Sequence, residues 1–163
     1  VVPTTIRVAS HADIAPIQRL AVTTDMFGED AVGFFDEMIS GALDGTLPHN
    51  HWLVVDDDAV VVAAAYYAPE PFSDRLWNLY FISVAPDYQG RGTGGTLLSY
   101  VEDQLRTVGP DVARVLLIET SSTDQYRHTR EFYRRHGYDE EARIREFYGP
   151  GDDKIVFWKS LHR

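Results

Sequence analysis

Three glycines in five residues, Gly90, Gly92 and Gly94, stand between an apolar run from Leu79 to Val84 and a helix-like run from Gly95 to Arg106. A strand, a glycine-rich turn and a helix N-terminus make an anion grip. Glycine lets the backbone bend and lets a ligand approach closely. The first amides of the helix have no partner within it, and the helix dipole favours negative charge there. The chemistry to expect is main-chain binding of a phosphate-bearing ligand. Other reactive groups are sparse. There is no cysteine, hence no disulfide, thiolate metal site or cysteine nucleophile. Among six histidines only His49 and His51 are close, on one face of a strand. A polar strand entry explains that pair better than a metal site, and no metal is expected.

The loop is not a P-loop, because no Gly-Lys-Ser/Thr follows the glycines. Its G-x-G-x-G spacing also differs from the dinucleotide G-x-G-x-x-G, and no βαβ unit precedes it. It does fit Gln-x-x-Gly-x-Gly, at Gln89, Gly92 and Gly94, preceded by Val-x-Pro at Val84 to Pro86. With Phe132-Tyr133-Arg134-Arg135-His136-Gly137-Tyr138 downstream, the pattern closely resembles the acetyl-CoA loop and the Tyr-x-x-x-Gly-Phe/Tyr element of the GNAT superfamily of N-acetyltransferases. The two motifs cover about residues 75 to 140, and the order of elements extends the likeness to nearly the whole chain.

The resemblance implies acetyl-CoA as co-substrate. Its pantetheine arm would pair with the main chains of Ile82, Ser83 and Val84 where two strands part. Its pyrophosphate would lie on Gln89, Gly90, Arg91, Gly92, Thr93, Gly94 and Gly95, with the Arg91 guanidinium adding a charge-assisted contact. Transfer in this family is direct. Binding both reactants in line supplies much of the rate, and a backbone N–H near Val84 would polarise the thioester carbonyl. Tyr133 would protonate the departing thiolate, as a phenol with a pKa of about 10 is suited to do; the other reading is a core aromatic. Glu119, at the end of a buried strand, is the best carboxylate to serve as base, with a capping role as the alternative. The family often carries an acid on the preceding strand, but the polar residues here are Asn78, Tyr80 and Ser83, so a water chain through Tyr80 or Ser83 is the other route. Tyr126 stands where the family often has Asn, which removes the contacts expected from that residue.

The family builds much of its acceptor wall from the first two helices and their connection. Here that region combines acids with Met26, Phe27, Phe34 and Phe35, so the acceptor is expected against Met26, Phe27, Glu29, Phe34 and Tyr80. An acidic, aromatic lining suits a small cationic primary amine. The alternatives are acetylation of peptide or protein N-termini or lysines, and a CoA-binding or interaction module of the same fold without turnover.

The elements that position these groups are legible from periodicity and turn signals. Strands are expected from Thr5 to Ala9, His51 to Val55, Val60 to Tyr67, Leu76 to Val84, Arg114 to Glu119, Glu140 to Phe147 and Lys154 to Ser160. Helices are expected from about Ala12 to Met26, Glu29 to Leu43, Gly95 to Arg106, and Ser122 or Thr123 to His136. The order β-α-α-β-β-β-α-β-α-β-β predicts an α/β fold with a mixed, largely antiparallel sheet and helices on both faces, the GNAT order.

At 163 residues and 44% hydrophobic content, one domain spanning 1–163 with a sizeable core is expected. The net charge of −10 is uneven. From Leu20 to Asp74 there are eleven acids and no Lys or Arg, while the rest of the chain holds 15 bases against 14 acids. Nucleic acid needs clustered cations and is disfavoured as a partner. A cationic partner suits the acidic stretch, or that stretch is simply a solvated surface. No leader-like or membrane-spanning run is visible, so a cytoplasmic location without membrane contact is expected. Members of the family are often dimers, so the resemblance allows a homodimer.

Overall fold

The computed structural model describes residues 4–24 and 32–163. The strands are β1 (Thr5–Val8), β2 (His51–Asp57), β3 (Val60–Pro69), β4 (Leu76–Val84), β5 (Val115–Ser121), β6 (Asp139–Gly149) and β7 (Asp152–Ser160). The helices are α1 (Ile14–Thr23), α2 (Val32–Leu43), α3 (Thr93–Val108) and α4 (Arg127–Arg135). The element order is the one expected. Hydrogen bonding orders the strands β1-β2-β3-β4-β5-β7-β6. The sheet is mixed, with β4 and β5 parallel and β1–β2, β2–β3, β5–β7 and β6–β7 antiparallel. The chain packs as two compact units, Val1–Ala68 with Phe81–Val101, and Pro69–Tyr80 with Glu102–Arg163.

In the first unit, α1 buries Ile17, Leu20 and Ala21, an i, i+3, i+4 stripe. α2 adds Phe35 and Ile39, and the stripes close on Trp52 and Val54 of β2, Ala64 and Tyr66 of β3, and Phe81. Phe35 meets Trp52 and Phe81 edge-on, with ring centroids 6.2 and 5.5 Å apart. Phe35 is thus a core residue. The entry to α1 is held by Asp13, which is 4% exposed. Its carboxylate accepts the Ser10 amide (2.7 Å), the Ser10 hydroxyl (3.0 Å) and both terminal nitrogens of Arg7 (2.7 and 2.8 Å). The Arg7 bonds hold this carboxyl below the usual carboxylate value.

Asp13→Ala is therefore expected to lower unfolding free energy by about 2 kcal/mol, because buried donors lose their acceptor while Arg7 keeps some water. Chemical denaturation at several pH values checks this. A depressed carboxyl stabilises above its unfolded pKa and loses that contribution as pH falls through the folded value. The gap between wild type and variant should thus be full at neutral pH and shrink below about pH 4.

In the second unit, β5 runs two residues beyond its expected end, because Thr120 and Ser121 pair with Ile155 and Lys154 of β7. α4 starts later than expected. The Ser122 hydroxyl accepts the Asp153 amide (2.8 Å) instead of capping a helix, and a 3-10 turn, Asp124–Tyr126, intervenes. Glu102 of α3, 5% exposed, gathers the Tyr138 hydroxyl (2.8 Å), Lys159 (3.0 Å) and Arg106 (3.0 Å). That network joins the C-terminal part of α3, from Glu102 onward, to the end of α4 and to β7.

Candidate active site

The glycine loop lies wholly in the first unit. β4 ends at Val84, the Ala85 amide donates to Val62 O (2.8 Å), and a 3-10 turn, Pro86–Tyr88, follows. Gln89 folds back, its Nε2 donating to Val84 O at 2.9 Å. The Val84 carbonyl thus helps to close the turn. Gly90 and Gly92 take φ of 71° and 85°, left-handed values that an L side chain rarely adopts. Thr96 donates both its amide and its hydroxyl to Gly92 O, each at 3.0 Å. Thr96 is therefore the first amide bonded inside α3, and the amides of Thr93, Gly94 and Gly95 have no carbonyl one turn back to reach. Gly90, Arg91 and Gly92 are exposed, so the grip is open to a ligand.

Two further contacts shape this loop. The Tyr88 hydroxyl donates to Asp57 Oδ2 at 2.6 Å, and the Arg91 guanidinium carbon lies 5.3 Å from the centre of the Tyr88 ring. Hydrogen bonding to Asp57 raises the Tyr88 phenol above its usual pKa. The hairpin between β2 and β3 therefore anchors Tyr88, and Tyr88 carries Arg91. On β4, Ser83 is 5% exposed, and its hydroxyl pairs with Thr24 Oγ1 at 2.9 Å. Met26, Phe27 and Glu29, named as acceptor contacts, lie outside the described residues, and Phe34 is 63% exposed on α2.

The remaining candidates lie in the second unit. Parallel pairing of β4 with β5 runs from Leu76↔Val115 to Leu79↔Ile118, and both strands continue past the last of these pairs. The register places Asn78 beside Leu117, hence diagonal to Glu119, and Glu119 beside Val156, hence diagonal to Lys154. The side chains follow that geometry. Asn78 Nδ2 donates to Glu119 Oε1 (3.2 Å) and to Glu70 Oε2 (3.0 Å), the Tyr80 hydroxyl donates to Glu70 Oε2 (2.7 Å), and Lys154 Nζ sits 2.9 Å from Glu119 Oε2. The Lys154 ammonium also lies 3.4 Å above the centre of the Phe147 ring. Burial, with Glu119 and Asp152 nearby, pushes the Tyr148 phenol up to about 12.

Tyr133 belongs to the other face. It is 3% exposed and its ring packs 5.4 Å from Phe157 and 6.1 Å from Tyr138. Phe157 pairs with Ile118, so it projects opposite to Leu117 and Glu119. Burial raises the Tyr133 phenol well above its ordinary value, which keeps its proton on at neutral pH. A neutral donor thus lies on one face of the β4–β5 pair and a carboxylate cluster on the other. Glu70 was missed as a site residue: in the sequence it is one acid among eleven. The signal lay in the β3–β4 connection, where the Glu70 amide bonds Leu76 O at 2.8 Å and turns its side chain toward β4.

A family model described as an acetyltransferase (GNAT) domain matches residues 48–140, which include the glycine loop and Tyr133. The chain belongs to the GNAT family. It is thus an acetyltransferase by family. Among solved structures, a GNAT-family protein from Desulfovibrio desulfuricans is 30% identical, covers 98% of this chain and 99% of its own, and superposes with a TM-score of 0.89. The ribosomal-protein-S18-alanine N-acetyltransferase of Escherichia coli is 18% identical, with 99% and 96% covered and a TM-score of 0.80. A Salmonella typhimurium protein solved with its cofactor acetyl-CoA is 21% identical, with 99% and 95% covered and a TM-score of 0.80. Comparison with curated proteins finds no match. Among the described residues, no group of three or more His, Cys, Asp or Glu could hold a metal ion, and no helix is long and apolar enough to cross a membrane.

Proposed function

We propose that this GNAT protein moves the acetyl group of acetyl-CoA directly to the nitrogen of a small, cationic primary amine. The observation that carries the donor half is the glycine loop, where left-handed Gly90 and Gly92 lead into the open amides of Thr93, Gly94 and Gly95. That arrangement suits a pyrophosphate, and Arg91 adds a cation beside it. Ile82, Ser83 and Val84 offer the extended backbone for the pantetheine arm.

The acceptor half is supported by charge. The face that carries Glu119 also brings Glu70 to Asn78 and Tyr80, and the aromatic Phe147 and Tyr148 are about half exposed nearby in sequence to Lys154. Carboxylates with aromatic rings favour an alkylammonium over a neutral or anionic acceptor. Tyr133 is the acid that protonates the leaving thiolate. Its burial raises its own pKa, but a thiolate formed in the same water-poor surroundings also gains basicity, so the two remain matched. No covalent acetyl-enzyme is required.

The test is thiol release from acetyl-CoA across a panel of alkylamines, polyamines, aminoglycosides and peptide N-termini. Turnover is expected to be highest with small cationic amines. Turnover confined to peptides would replace the small-amine reading, and no release with any amine would leave a CoA-binding module.

A further inference from the structure

Building on the acetyl-transfer reading, we propose that Glu70 seats the ammonium of the acceptor and takes the proton it must lose before attack. The substrate class is a primary alkylamine, protonated in solution.

Three observations converge on Glu70. First, both of its hydrogen-bond donors among the described residues, Asn78 Nδ2 and the Tyr80 hydroxyl, are neutral and both use Oε2, so Oε1 keeps its lone pairs for a ligand. Second, its charge is not matched. Glu119 has Lys154 at 2.9 Å, whereas no ion pair to Glu70 forms among the described residues. The cluster of Glu70, Glu119 and Lys154 therefore keeps one net negative charge. Third, Asn78 is fully buried, and its Oδ1 has no hydrogen-bond partner among the described residues. The amide cannot be turned to hide that oxygen, because the reversed group would aim a carbonyl at two carboxylates. The Asn78 amide is thereby fixed with its nitrogen toward both carboxylates, which holds Glu70 in place. Lys154 shows the same face accepting a primary ammonium, between the carboxylate of Glu119 and the ring of Phe147. Tyr80 is 40% exposed, so the Glu70 side of the cluster is open.

The proton balance closes. The alkylammonium gives one proton to Glu70 and becomes a free amine. Its nitrogen forms the C–N bond at the acetyl carbon as the C–S bond breaks. Tyr133 gives its proton to the departing thiolate, the second nitrogen proton replaces the one that Tyr133 gave, and Glu70 returns its proton to water. The products are the N-acetyl amine, the CoA thiol and one proton.

Glu70→Gln keeps the size and one acceptor of the side chain. With a primary alkylamine, kcat/KM is expected to fall on the order of a hundredfold or more, and the acidic limb of the pH–rate profile should disappear. An acceptor that is already neutral at assay pH, such as an aniline or an acyl hydrazide, should lose less than about tenfold. Glu70→Asp should recover part of the rate and keep the acidic limb. Acetyl-CoA affinity, read by calorimetry, should stay unchanged in both variants and shows that each is folded. Equal losses for basic and weakly basic acceptors, or a Gln variant within about threefold of wild type, would overturn the proposal while leaving acetyl transfer intact. If the Gln variant does not fold, an Asp variant that has lost the acidic limb overturns it. A wild type that binds acetyl-CoA and acetylates no amine overturns both readings.

Discussion

Gly92→Val is expected to weaken acetyl-CoA binding by a hundredfold or more, and Gly109→Val is expected to leave it unchanged. The two glycines make a matched pair. Each has φ of 85°, and a Cβ added at either would meet nothing within 4 Å. The backbone cost of forcing an L residue into that region is about 1–2 kcal/mol at both. Only Gly92 also offers its carbonyl to Thr96 and sets the direction of the Thr93–Gly95 amides. Charge-assisted bonds from such amides contribute about 1.5–3 kcal/mol each, so losing two of them removes two decades of affinity or more. Calorimetric titration with acetyl-CoA, alongside thermal unfolding of both variants, separates the shared strain from the lost grip. Equal affinity for Gly92→Val and wild type would remove the loop from the donor site.

Tyr133→Phe is expected to lower kcat by a factor of about 100 to 1,000 with little change in acetyl-CoA affinity. The ring packing against Phe157 and Tyr138 survives the change, so stability should be near wild type. The pH dependence carries the sign. The acid is active in its protonated form, and burial raises its pKa above that of an ordinary phenol. Activity in the wild type should therefore hold through neutral pH and fall on an alkaline limb above about pH 10. That limb should be absent from the residual activity of the Phe variant. A Phe variant as fast as wild type at neutral pH would return Tyr133 to the role of a core aromatic.

The glycine loop was readable in the sequence because it is local. Gly90, Gly92 and Gly94 lie within five residues, and a strand and a helix flank them in the chain. The fold was readable for a similar reason: stripes such as Ile17, Leu20 and Ala21 report burial directly through spacing. The carboxylate cluster of Glu70 and Glu119 resisted because it is a product of register. Glu119 meets Lys154 only because Glu119 pairs with Val156 and Ser121 with Lys154, across strands separated by a helix. Glu70 meets Tyr80 only because the β3–β4 connection is held by Glu70 N to Leu76 O and Ser73 to Glu70 O. No carboxylate stands among the polar residues of β4, and Asn78 and Tyr80 draw one in from outside the strand. The shortfall at Ser122 was of the same kind, since its hydroxyl is taken by Asp153 thirty-one positions away.

The most direct test of the account follows both products of one reaction. Wild-type protein, acetyl-CoA and a small cationic amine are incubated together, and thiol release is compared with mass spectrometry of the amine and of the intact protein. One N-acetylated amine is expected for each thiol released, with no acetyl group on the protein. Thiol release without acetylated amine, or an acetyl-protein that forms without acceptor and then passes its group on, would contradict direct transfer to nitrogen.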